Sequence, residues 1–163
     1  MYKVAVLTIS DKGSKGQRKD ESGHIIQEII KSLPAKIVKY EIIPDEPQLI
    51  KACLIDYSDN LKVDLVLTTG GTGFTSRDRT PEATKEVIEK EVPGIPEAMR
   101  VGCFKSTKRA MLSRAIAGIR HKTLIVNLPG SSRGAKESLE AVLEALPHGL
   151  DMLAEKEHKH DSN

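Results

Sequence analysis

Residues 63–69, VDLVLTT, and the four residues after them constrain this chain more than any other stretch. The run is short, apolar and rich in branched side chains, and Gly70-Gly71-Thr72-Gly73 breaks it abruptly. Such a run reads as a strand buried on both faces, the habit of a parallel sheet with helices above and below. Three glycines in four residues let the backbone approach another group closely and turn its N–H groups toward an anion. Thr68, Thr69 and Thr72 add hydroxyl donors. The loop has neither the Gly-Lys-Ser/Thr ending of a P-loop nor the GxGxxG spacing. Alone it supports two readings, an anion-binding loop and a tight strand-to-helix turn with no ligand.

The rest of the pattern agrees with a parallel sheet. Residues 4–9 and 36–43 read as further strands, with 10–22 as a polar loop between the first strand and a helix. That helix carries Ile25, Ile26, Ile29, Ile30 and Leu33 at helical spacing and stops at Pro34; Leu49, Ile50, Cys53, Leu54 and Tyr57 mark a second. Thr80 reads as an N-cap with Pro81 at the first helical position. Pro93 and Pro96 end that helix and begin another through Met99. Residues 115–120 and 123–128 read as strands joined by His121-Lys122 in an antiparallel hairpin, although His-Lys is a poor tight-turn sequence. Leu139, Val142, Leu143 and Leu146 mark a helix ended by Pro147, and Leu150 and Leu153 a last short one. The expected fold is α/β, a mostly parallel sheet covered on both faces, with an antiparallel hairpin near the C-terminus. The 163 residues suit one core, placed at 1–153, with 154–163 as a charged, flexible tail.

Composition excludes several classes. Apolar residues are 39% and charged residues 29%, as in globular proteins. No apolar run approaches the roughly 18 residues that span a bilayer, and the N-terminus enters a strand with no cleavable leader. The expectation is a cytoplasmic protein with no membrane partner, its Cys53 and Cys103 reduced. A net charge of +2 and 3% aromatics without Trp argue against nucleic acid.

In a parallel sheet, ligands sit beyond the carboxyl ends of the strands. Four loops leave such ends: Ser10-Asp11, Pro44-Asp45, the stretch 70–78, and 127–131 with Asn127, Pro129, Gly130 and Ser131. The last enters a helix whose N-terminal N–H groups suit an anion, or are simply capped. Asp45 and Asp78 would face the glycine loop. Carboxylates repel phosphate, but two of them can hold Mg²⁺, which keeps waters and phosphate oxygens in its remaining positions. Ser113 has no nearby His, so a serine triad is unsupported. His158 and His160 lie in the tail and read as solvated.

These motifs together resemble the molybdopterin adenylyltransferase family. The resemblance rests on 65–73 (LVLTTGGTG), Arg77-Asp78, Thr80-Pro81-Glu82-Ala83-Thr84, Leu112-Ser113-Arg114, Gly118-Ile119-Arg120, 122–131 (KTLIVNLPGS), and Ala145-Leu146-Pro147-His148. Ser10-Asp11 and Ile43-Pro44-Asp45-Glu46 match its earlier loops, and the likeness spans about residues 3–153. It implies a three-layer α/β/α fold, a homotrimer, and adenylylation of molybdopterin by ATP with Mg²⁺, the product passing to a molybdate-inserting enzyme. It implies catalytic and metal-binding roles for Asp45 and Asp78. Substrate binding would fall to Ser10, Asp11, Thr69, Gly70, Gly71, Thr72, Gly73, Ser113, Asn127, Pro129, Gly130 and Ser131. A paralogue that binds pterin or nucleotide without efficient turnover is the alternative. Arg79 stands where many members carry Val, and 12–20 is unusually rich in Lys, Gly and Arg; a solvent-facing Arg79 is expected.

Overall fold

The computed structural model describes residues 1–156. Its elements in chain order are β1 (Tyr2–Ile9), α1 (Asp11–Ser14), α2 (Glu21–Ile30), β2 (Ala35–Ile43), α3 (Pro47–Ile55), β3 (Leu65–Thr69), α4 (Thr80–Val87), β4 (Lys90–Glu91), α5 (Gly94–Phe104), β5 (Ala117–Arg120), β6 (Thr123–Leu128), α6 (Ser132–Val142) and α7 (Leu146–Leu153). A π-type turn spans Asp56–Asn60, closed by the Leu61 N–H on the Asp56 carbonyl.

The sheet runs β2-β1-β3-β6-β5-β4. Its first four strands are parallel neighbours, and β6, β5 and β4 are antiparallel. Strand periodicity divides the core. Val4, Val6, Leu65 and Leu67 face one layer with Ile26, Ile30, Met99 and Leu139; Ala5, Leu7 and Val66 face the other with Ile50, Leu54, Ala83 and Val87. Both faces of β1 and β3 are therefore dry, which is why their sequences are continuously apolar. Each such Leu or Ile contributes roughly 1.5–3 kcal/mol on burial.

This topology positions the loops. Thr8 pairs with Thr69, Thr69 with Leu128, and Ile9 with Ile43, so the parallel strands end level. The chain leaves β1 toward β2 on one side and returns to β3 on the other. That reversal opens a crevice beyond the carboxyl ends of β1 and β3.

Four local expectations are corrected. Residues 10–22 are not all loop: Ser10 caps α1, and Asp20 caps α2 by accepting from the Gly23 N–H. Thr80 is not the cap of α4; Arg79 holds that position, and the Thr80 hydroxyl instead donates to the Gly70 carbonyl at 2.9 Å. Pro147 does not end the helix bearing Leu139; α6 stops at Val142, a 3₁₀ turn follows, and Pro147 lies in the first turn of α7, where its missing N–H costs nothing. Pro93 does not end the helix that starts at Thr80: α4 stops at Val87, the two-residue strand β4, too short to show a period, comes before Pro93, and α5 holds Pro96 in its first turn and runs past Met99 to Phe104. The β5–β6 hairpin is as expected, with His121 in the left-handed region at φ 53°. Of the tail 154–163, residues 157–163 lie outside the described residues, and so do His158 and His160.

Candidate active site

The glycine loop is shaped by close approach. Gly70 has φ 100°, and a Cβ there would lie 2.2 Å from the Ile9 carbonyl oxygen. Gly71 has φ 71°, and its Cβ would meet the Thr80 hydroxyl at 2.2 Å. Neither position tolerates a side chain. The Gly70 N–H donates to the Leu128 carbonyl at 3.1 Å, and the Thr69 hydroxyl to the Pro129 carbonyl at 2.7 Å. The loops after β3 and β6 are thus tied edge to edge.

Asp11 and Asp45 bind each other's backbone. The Asp11 N–H donates to Asp45 Oδ2 at 2.9 Å, and the Asp45 N–H to Asp11 Oδ1 at 3.0 Å. Arg77 neutralises this acidic corner. Its Nε and Nη2 grip both oxygens of Asp11 at 3.0 and 2.9 Å, and Nη2 reaches Glu46 at 2.9 Å. Burial pushes the Asp45 carboxyl above its ordinary range, and the charges of Asp11 and Asp78 add to that; the Asp11 N–H and Arg77 oppose it. The Asp11 carboxyl is held low by its hydrogen bonds from Arg77. Asp78 turns back on its own loop, with Oδ2 accepting from the Thr75 N–H at 2.9 Å and the Thr75 hydroxyl at 2.8 Å.

Ser10, Asp11, Asp45, Thr69, Gly70, Gly71, Asp78, Gly130 and Ser131 line one cleft of about 960 Å³. Thr72, Gly73, Ser113, Pro129 and Ser131 line a second cavity of about 460 Å³ across the loop, with Arg100 and Arg109. Ser131 is common to both. Asn127 reaches neither: it is fully buried, and its Nδ2 donates to the hydroxyls of Thr68 and Thr84 at 3.0 Å each. Thr68 is equally buried and its hydroxyl accepts from Asn127, while the Thr69 hydroxyl spends its proton on the Pro129 carbonyl. Arg79 is exposed, as expected.

Sequence reasoning missed the cations. Lys12, Arg18 and Lys19 line the large cleft and make no ion pair among the described residues. The basic character of 12–20 was the available signal. It also missed Asp20, which accepts from the Thr8 hydroxyl at 2.7 Å and from the Tyr40 hydroxyl. With its cap to Gly23 as well, that carboxylate is a fully engaged structural group.

The donor set fits Mg²⁺. Among the described residues no cluster of three or more His, Cys, Asp or Glu could hold a metal. Oδ1 of Asp45 and Oδ1 of Asp78 accept no hydrogen bond there, while each Oδ2 is anchored. Two half-free carboxylates beside a phosphate-sized cleft suit an ion that keeps waters and phosphate oxygens.

The chain matches the family described as a probable molybdopterin binding domain over residues 5–148. It is 47% identical over 152 residues to the molybdopterin adenylyltransferase of Helicobacter pylori strain J99, covering 92% of this chain and 86% of that protein. It is 39% identical over 154 residues to the molybdopterin adenylyltransferase of Escherichia coli K12, covering 91% and 79%. Among solved structures, the molybdopterin biosynthesis enzyme MoaB of Thermus thermophilus superposes with a TM-score of 0.91 at 50% identity, covering 96% of this chain and 98% of that one.

Proposed function

The chain belongs to the molybdopterin-binding domain family, and from that premise we infer that it is a molybdopterin adenylyltransferase of molybdenum cofactor biosynthesis. A phosphate oxygen of molybdopterin attacks the α-phosphorus of ATP. The bond from that phosphorus to the bridging oxygen breaks, and adenylyl-molybdopterin and pyrophosphate form. The observation that carries this reading is the meeting of Asp45, Asp78 and the glycine loop in one cleft at the strand-order reversal.

The chain's own groups account for the chemistry by positioning and charge, with no covalent enzyme intermediate. Lys12, Arg18 and Lys19 offset the repulsion between two phosphate-bearing substrates. The loop glycines let both approach the backbone. Asp45 and Asp78 would hold Mg²⁺, which would supply charge neutralisation for the pyrophosphate leaving group. The cavity lined by Ser113, Pro129 and Arg100 lies beside this cleft and leaves room for a second part of the substrates.

The reading extends to a cytoplasmic homotrimer that hands its product to a molybdate-inserting enzyme. Exposed Val101, Phe104 and Met111 on and after α5 favour self-association. Among the described residues no helix is long and apolar enough to cross a membrane.

The test is incubation of the protein with molybdopterin, Mg²⁺ and ATP, with assay of adenylyl-molybdopterin. Product formation is expected, and none from folded protein would sink the reading. Asp78→Asn is expected to bind molybdopterin but lose at least about a hundredfold in turnover. A monomeric mass in solution scattering would contradict the trimer.

A further inference from the structure

We propose that Arg114 is the positioning residue of this site: it sets Asp78 at the cleft by holding the backbone at both ends of the loop that carries it. The inference rests on the adenylyl-transfer reading for its activity arm only.

Residues 74–77 are exposed, and the loop has little packing of its own. The Asp78 carboxylate is closed onto Thr75, a turn internal to the loop, and Arg77 ties the exposed stretch to Asp11 and Glu46; neither contact fixes the backbone at the loop's two ends. Arg114 does so. Its Nε donates to the Gly73 carbonyl at 2.8 Å, and its Nη2 to the Asp78 carbonyl at 2.8 Å. Among the described residues these are the hydrogen bonds those two carbonyls accept. Its backbone N–H adds a third tie, to the Thr72 carbonyl at 3.0 Å. The guanidinium is itself fixed, because Nη1 donates to both oxygens of Glu82 at 2.7 and 2.9 Å. Glu82 stands in the first turn of α4, the rigid element that follows the loop.

The planar fork explains the residue type. Three separate nitrogens serve three acceptors in fixed directions, which one ammonium cannot reproduce. Arg114 does not reach the cleft lining, so it acts through the loop and not on substrate. Its side chain and that of Glu82 are 36% and 39% exposed, so the pair contributes little to global stability.

A double-mutant cycle tests this. Arg114→Ala is expected to lower kcat about tenfold, with the KM for ATP changed less than about twofold. In the Asp78→Asn background, under single-turnover conditions, it should cost less than about twofold, because the group it positions is gone. Arg114→Lys should fall between the parent and Ala, and it replaces Ala in the cycle if that variant does not fold. Amide hydrogen exchange across 74–78 should quicken in Arg114→Ala while the core strands stay protected. Equal losses in both backgrounds would overturn the proposal, as would unchanged exchange at 74–78. If the parent protein makes no product, the functional reading fails, and the exchange result alone decides whether Arg114 holds the loop.

Discussion

Two arginine–aspartate pairs of the same chemistry sit at opposite edges of the sheet. At the carboxyl edge, Arg77 grips Asp11 through Nε and Nη2; at the amino edge, Arg120 grips Asp59 through the same two atoms at 2.9 and 2.7 Å. Both are bidentate, the stronger form of the contact. Their surroundings differ. The Arg77–Asp11 side chains are 52% and 35% exposed, those of Arg120 and Asp59 22% and 29%. Arg77 joins loops that follow β1, β2 and β3 through Asp11, Glu46 and its own backbone. Arg120 joins the β5–β6 hairpin to the π-type turn and, through Nη1, to the Val87 carbonyl at the end of α4. The more exposed pair has less to offer stability, yet it stands in the acidic corner of the cleft. On the adenylyl-transfer reading, location, and not bond geometry, separates a contact that serves the reaction from one that serves the fold.

Arg77→Ala tests this contrast most directly. It releases three loops and removes the positive charge beside Asp11, Asp45 and Glu46. Turnover is expected to fall about tenfold, while the denaturation midpoint stays close to that of the parent, as for exposed ion pairs. Arg77→Lys should restore only part of the activity, because an ammonium cannot reproduce the fork. Full activity in Arg77→Ala by the adenylyl-molybdopterin assay would end the distinction.

The converse effect is smaller. Asp59→Asn should leave turnover unchanged and lower stability by about 1 kcal/mol at pH 7. The pH dependence follows from the direction of the shift. The hydrogen bond from Arg120 holds the Asp59 carboxyl below its ordinary range, so the folded pKa lies under the unfolded one. Its stabilisation is present above the unfolded value of about 3.9 and is lost as pH falls through the folded value. The midpoints of parent and variant, apart at neutral pH, should converge below about pH 4. A gap that persists in acid would mean that the pair is not its source.

The contrast also marks what could be read in the sequence. The carboxyl-edge loops are legible because they follow strand ends: the glycines after VDLVLTT and the carboxylates of Asp45 and Asp78 have their places at the cleft set by local chain order. Arg77, Arg114 and Arg120 stand within the motifs, but their partners lie 66, 32 and 61 residues away, a separation no local pattern reports. Asn127 shows the opposite error. It sits in a ligand-like loop motif, yet register places it inside β6 opposite Thr68, where its amide satisfies buried hydroxyls. The cap expected at Thr80 fails for a similar reason: the cap rule considers the helix start alone, whereas the Gly70 carbonyl claims the hydroxyl across the loop. Chain-local chemistry is readable, and chemistry completed by a distant element is not.

The smallest effect lies next to Asp59 and tests how local the amino-edge region is. Ser58, in the π-type turn, is 3% exposed, and among the described residues its hydroxyl has no hydrogen-bond partner. On one side Tyr57 is buried and donates to Glu41 at 2.6 Å, and on the other Asp59 is held by Arg120. The turn is therefore fixed by its neighbours and carries an unsatisfied group between them. Removing a buried hydroxyl that makes no hydrogen bond relieves its desolvation cost and leaves only a small void. Ser58→Ala should accordingly leave turnover untouched and raise unfolding free energy by up to about 1 kcal/mol. Denaturant titration with an unchanged slope is the measurement, since an altered slope would signal a different unfolded state. A fall in stability would mean that the hydroxyl is hydrogen-bonded in solution and that this edge of the sheet has a polar partner of its own.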